Sequence, residues 1–156
     1  MAGALVLLGA GCGAGGSYEL HWTIGCDNLG DSACTITSAR GCSRFGLDGI
    51  EVLAVQGFEQ SRAVFPCFST LDGAVGRGPE LEEGPANLQV SGLSAGGQVL
   101  TSGAVDVAIP ASDFQVVLIN LPAPPPCADG VDNDADGLVD VHDPGCEASG
   151  GEREEE

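Results

Sequence analysis

Five aspartates near the end of this 156-residue chain have the types and spacing to hold a hard cation. Asp132, Asp134 and Asp136 alternate, Gly137 follows, and Asp140 and Asp143 complete positions 1, 3, 5, 9 and 12 of a twelve-residue loop. Short carboxylates at alternating positions can converge on one centre, and calcium takes six to eight such oxygen ligands. Leu138, at position 7, is placed to offer its backbone carbonyl, and Gly137 allows the sharp turn that a ring of ligands requires. Val139, at position 8, is free in this register to point away from the ion into apolar surface. The chemistry expected of Asp132, Asp134, Asp136, Leu138, Asp140 and Asp143 is therefore Ca2+ binding.

The register is that of an EF-hand-like loop, with Asp143 standing where a longer Glu normally binds through both oxygens. Pro122, Pro124, Pro125 and Pro126 before the loop, and Pro144 and Gly145 after it, exclude long flanking helices. Cys127 and Cys146 frame the loop instead, and a bridge between them would remove on the order of 3 kcal/mol of unfolded-state entropy. DNDADGLVDVHD resembles the D-x-D-x-D-G-x-x-D-x-x-D units of thrombospondin type 3 repeats. The wider CADGVDNDADGLVD resembles the MopE-type metal-binding motif of bacterial surface proteins. Both resemblances are confined to this segment of about twenty residues. Ala135 stands where the MopE-type pattern usually carries Cys, so the soft ligand that copper favours is missing and oxygen donors remain. His142, alone among the acids, is expected to be exposed.

The elements that must position this loop come from a small chain with room for one domain of about a hundred residues. The formal charge is −18 and lysine is absent; after Pro126, eleven Asp and Glu stand against Arg153 alone. Nucleic acid is excluded as a partner, because phosphate binding needs a basic face. Seven cysteines imply an oxidising compartment.

Residues 1–11, MAGALVLLGAG, form a short apolar run ending before Cys12, and resemble the signal segment of a bacterial lipoprotein. Gly9 occupies the place where Leu is usual, and a basic n-region is missing, as a start codon assigned too late would explain. On this reading Cys12 carries the acyl chains, residues 12–17 are an anchored linker, and the protein sits at the outer membrane or cell surface of the bacterial envelope. Without the anchor it would be secreted. Of the seven cysteines, six then remain, and the simplest pairing by proximity is Cys26 with Cys34, Cys42 with Cys67 and Cys127 with Cys146, one of many connectivities. Cys26, Cys34 and Cys42 lie eight apart, with no C-x-x-C pair, which is poor spacing for zinc.

Residues 18–121 are dominated by a period of two. Tyr18, Leu20, Trp22 and Ile24 alternate with Glu19, His21 and Thr23, as in a half-buried strand. Further strands are expected at Ile50–Gln56, Ala63–Phe68, Asn87–Leu93, Gln98–Ser102, Val105–Ile109 and Phe114–Leu121, separated by Gly, Pro and Asp turns. The expectation is an all-β fold, a small antiparallel β-sandwich. Its pattern is similar to immunoglobulin-like or carboxypeptidase-regulatory-like modules. Leu71–Ala86 reads as a tolerated loop, and Arg40, Arg44, Arg62 and Arg77 as partners of nearby acids. LPAPPP, with residues 122–126 as linker, should space the loop module 127–146 from the sandwich, leaving 147–156 as an acidic, disordered tail.

Gly92-Leu93-Ser94-Ala95-Gly96 fits G-x-S-x-G, which would make Ser94 the nucleophile of a secreted hydrolase or accessory domain. That motif belongs on a strand-to-helix elbow, whereas here Gly96 and Gly97 join two strand-like runs, so a hairpin and no catalytic residues are expected. Acid/base work by the aspartates would need two carboxyls in dissimilar environments, and five in one loop read as a cation cage. The expected role is thus binding or structural, toward an envelope or extracellular protein or a glycan. Sugar stacking is disfavoured because Tyr18 and Trp22 fall on the face expected to be buried.

Overall fold

The computed structural model describes residues 15–25, 42, 45–67, 75–111, 113–132, 135–139 and 142–148. Eight strands follow in chain order: β1 (Gly15–Ile24), β2 (Leu47–Gln56), β3 (Glu59–Pro66), β4 (Val75–Arg77), β5 (Leu81–Glu82), β6 (Gly84–Ser94), β7 (Val99–Ile109) and β8 (Phe114–Leu121). A 3-10 turn at Pro126–Ala128 and a one-turn helix α1 (Pro144–Ala148) complete it. Among the described residues no helix is long and apolar enough to cross a membrane.

The strands form two sheets. In one, β3, β2, β6 and β7 are neighbours in that order, all antiparallel. In the other, β1 pairs antiparallel with β4 and β5, and parallel with β8. Alternation decides which faces meet. From β1 come Tyr18, Leu20, Trp22 and Ile24, from β2 Ile50, Val52 and Ala54, from β6 Ala86, Leu88 and Val90, and from β8 Val117, Ile119 and Leu121, all buried in one cluster. Burial of each large side chain contributes roughly 2 kcal/mol, so this cluster is the main favourable term holding the sheets together. Trp22 stacks on Phe65 of β3 with ring centroids 6.2 Å apart. The expected β-sandwich is the observed fold.

Several finer expectations are corrected. The ladder between β1 and β8 is parallel, from Ser17 opposite Phe114 to Ile24 opposite Leu121. Side-chain alternation reports which face is buried and is blind to strand direction. Gln98–Ser102 and Val105–Ile109 are one strand, β7, running through Gly103. A Cβ at Gly103 would lie 3.2 Å from Leu121, so the missing side chain admits β8 against β7. The stretch Leu71–Ala86, expected as a loop, contains β4, β5 and the start of β6, because the backbone of β1 takes ladder partners there. The first strand begins at Gly15, ahead of the expected Tyr18, and the third spans Glu59–Pro66 where Ala63–Phe68 was expected.

Cys42 and Cys67 are bridged, with Cα atoms 5.9 Å apart, closing the β2–β3 hairpin at its open end. Arg62 pairs with Glu51 across that hairpin and Arg77 reaches Glu19 at 3.6 Å, the expected fate of these bases. Cys12, Cys26, Cys34, Arg40 and Arg44 lie outside the described residues. The proline stretch does not hold the C-terminal loop at a distance. Thr101 donates its hydroxyl to the Pro122 carbonyl at 2.6 Å, and the Asp129 carbonyl lies where a Cβ on Gly46 would be, 1.9 Å away. Gly46 also has φ +61, so both its conformation and its neighbour require glycine.

Candidate metal centre

The frame of the loop is the Cys127–Cys146 disulfide, with Cα atoms 5.6 Å apart and both residues buried. Pro125 is extended and turns the chain into the 3-10 turn carrying Cys127, while α1 carries Cys146. Between them the backbone is shaped by carboxylates accepting nearby N–H groups, the short-range bonding that Asp offers in turns. Asp129 accepts Val131 N at 2.8 Å, Asp132 Oδ2 accepts Gly137 N at 2.9 Å, Asp136 Oδ1 accepts Leu138 N at 2.7 Å, and Asp143 Oδ1 accepts Gly145 N. The bond from Gly137 back to Asp132 ties position 6 of the register to position 1. Gly137 has φ +95, and Ala135 has φ +66, an arrangement costing a non-glycine residue on the order of 1 kcal/mol.

Two oxygens are left over. Asp132 Oδ1 and Asp143 Oδ2 are buried and make no hydrogen bond among the described residues. Asp143 is only 3% exposed, and among the described residues no donor reaches its second oxygen. An unsatisfied buried oxygen costs about 1–3 kcal/mol, more if charged, and a cation is one of the few partners that would offset it. These are the first and last positions of the expected register. Asp136 and Leu138 are exposed, and Asp134 and Asp140 lie outside the described residues. Among the described residues no three His, Cys, Asp or Glu side chains are gathered closely enough to hold a metal ion.

Other residues of the segment divide between expectation and surprise. His142 is exposed, as expected, with its N–H bonded to the Val139 carbonyl at 3.1 Å. Val139 is 37% exposed, so it is not buried against the apolar surface that its place in the register suggested. Asp129 is a buried acid that the aspartate register does not include. It is 3% exposed, and its carbonyl faces Gly46. Its signal in the sequence is the Asp129-Gly130 pair, a turn dipeptide set just after Cys127.

Ser94 ends β6 in the hairpin to β7. Its N–H donates to the Gln98 carbonyl at 2.9 Å, its carbonyl accepts Gly97 N at 2.8 Å, and its Oγ accepts Gln98 N at 3.1 Å. Strand, turn, strand is the context here, where a nucleophile elbow runs from strand to helix. The hairpin and the Cys127–Gly130 segment line an open cleft of about 480 Å3.

No protein-family model and no curated protein matches the sequence. Among solved structures, the chain is similar to a leucine-rich repeat protein from Bacteroides thetaiotaomicron, at 8% identity and a TM-score of 0.42. The likeness covers 69% of this chain, which spans 12% of that protein's length.

Proposed function

We propose that this chain is an exported protein of the bacterial cell envelope, lipid-anchored at Cys12, whose Asp132–Asp143 loop binds calcium and whose role is binding or structural. One observation carries the calcium reading: the orphaned, buried oxygens of Asp132 and Asp143 at the two ends of the register. The residues that would hold the ion are Asp132, Asp134, Asp136, Asp140 and Asp143, with the Leu138 carbonyl. Bound calcium would supply the positive charge that lets these carboxylates share a small volume. Asp132 and Asp143 keep one oxygen each on a backbone N–H, which orients the other, and the Cys127–Cys146 bridge holds the two ends of the loop together. The two disulfides support an oxidising compartment, in keeping with export.

Calorimetric titration of calcium into the metal-stripped, oxidised protein tests the site, beside an Asp134→Ala variant and with magnesium and copper as competitors. Saturable binding of about one calcium, lost in the variant, is expected. No heat, or copper binding indifferent to Asp134, would refute it. Anchoring is read separately, by detergent-phase partitioning of the protein expressed in a bacterial host, which Cys12→Ala should abolish.

A further inference from the structure

The two ends of the aspartate register divide their carboxylates in the same way. Asp132 Oδ2 accepts Gly137 N at 2.9 Å and Asp143 Oδ1 accepts Gly145 N, while Asp132 Oδ1 and Asp143 Oδ2 are buried with no donor among the described residues. Each carboxylate thus keeps one oxygen on a backbone N–H and has one left over. At position 1 a single oxygen is all that the register needs. At position 12 it asks for two, which a Glu ordinarily supplies.

Two independent features keep Asp143 from supplying both. Its side chain is a methylene shorter than that of Glu and reaches less far across the loop. Its other oxygen is committed to Gly145 N, and the covalent frame fixes that commitment. Pro144 has a locked φ and no N–H, so the first backbone donor after Asp143 is that of Gly145. The next residue, Cys146, is tied to Cys127, which clamps the turn from the far side. Gly145 is buried and Asp143 is 3% exposed, so turning both carboxylate oxygens to an ion would strand a buried N–H without an acceptor.

We propose that Asp143 sets the metal specificity of the loop: it closes the site with one oxygen where two are usual, and the site therefore takes Mn2+ about as well as Ca2+. The inference rests on the calcium reading above and narrows it. One oxygen from each of Asp132, Asp134, Asp136, Leu138, Asp140 and Asp143 makes six. Calcium accepts six to eight oxygens in flexible geometry, so a seventh favours it over ions that prefer six. Without the seventh that advantage is lost, and a site of six oxygens suits manganese as it does calcium. Magnesium dehydrates reluctantly and usually keeps several waters, so a cage made wholly of protein oxygens leaves manganese as the ion that competes.

Titration of the metal-stripped, oxidised protein with calcium chloride and, separately, with manganese chloride is the test, by calorimetry and by the electron paramagnetic resonance signal of free Mn2+. Dissociation constants within about tenfold of each other are expected, with each ion displacing the other. Asp143→Glu lengthens the arm enough to offer a second oxygen, and should widen the preference for calcium to on the order of a hundredfold. Emission of the buried Trp22 reports that the variant is folded. The comparison of the two ions in the wild type stands without the variant. Saturable calcium binding with manganese weaker by about a hundredfold or more in the wild type overturns the inference and leaves the calcium reading intact. An unchanged ratio in a folded, calcium-binding Asp143→Glu does the same. Binding of neither ion overturns the calcium reading and this inference with it.

Discussion

The sandwich and the cysteine-framed loop lie side by side in one chain and hold their shapes by opposite means. In the sandwich, Tyr18, Leu20, Trp22, Ile50, Val52, Leu88 and Val90 are fully buried, and apolar burial dominates. In the loop, the buried residues among those described are Cys127, Asp129, Asp143, Gly145 and Cys146, and order comes from a disulfide and from carboxylates bonded to nearby N–H groups. The two regions should therefore fail under different stresses. Cavities should break the first, and reductant or loss of the cation the second.

The largest effect is expected from Trp22→Ala, which should cost about 3–5 kcal/mol of sandwich stability in denaturant unfolding by leaving a cavity between the sheets. A loss under about 1 kcal/mol would mean that the sheets are not held by this core. Replacing Cys127 and Cys146 together by Ala should cost about 3 kcal/mol of loop order, read as weakened calcium binding and faster cleavage between Pro126 and Glu147. The Cys42–Cys67 bridge would be untouched in that variant, so the sandwich melt should move much less.

Tyr18 gives the sandwich a pH response that the loop should not share. Burial pushes its phenol up to about 12, from an ordinary value of 10. The folded state then holds the proton more tightly than the unfolded one. The associated stability is fully present below pH 10 and falls between 10 and about 12, by roughly 2–3 kcal/mol in all. Since the chain has a single tyrosine, ultraviolet titration of the phenolate reads this directly, and a midpoint near 10 in the folded protein would contradict it.

Gly46 is where the two regions touch, and Gly46→Ala should cost about 1–3 kcal/mol through the Asp129 carbonyl and the positive φ. In the wild type, calcium should raise the unfolding temperature reported by Trp22 emission. In Gly46→Ala the calorimetric signal should persist while that rise shrinks, because the loop no longer seats on the sandwich. An undiminished rise would show that the contact transmits nothing. Asp143→Asn should have the smallest effect and opposite signs in two conditions. Without calcium it should raise stability by about 1 kcal/mol, by neutralising a buried orphan oxygen; with calcium it should lose affinity. Loss of stability in both conditions would mean that Asp143 serves only the turn at Gly145.

Much of the fold is legible in the amino-acid sequence. Alternation along Tyr18–Ile24 identifies the buried face of β1, and Gly96-Gly97 identifies the hairpin that removes Ser94 from an elbow. Cysteine proximity pairs Cys42 with Cys67 and Cys127 with Cys146, and the aspartate register includes both loop residues that carry an orphaned carboxylate oxygen. Each of these is local, because a strand's period, a turn's residues and a short disulfide loop depend on neighbours within some twenty-five positions.

Tertiary structure alone decided the parallel pairing of β1 with β8, since it joins residues nearly a hundred apart that alternate identically in either direction. It decided that Gly103 continues a strand, because the reason is Leu121 packing over it. The short strands β4 and β5 exist because β1 presents backbone groups to them, and nothing in LDGAVGRGPELEEGPA announces that demand. The seating of Asp129 on Gly46, and the burial that turns two carboxylate oxygens into orphans, likewise depend on surfaces brought together only by folding. Sequence determined which residues could be buried or could bind; the meeting of distant segments determined which of them are.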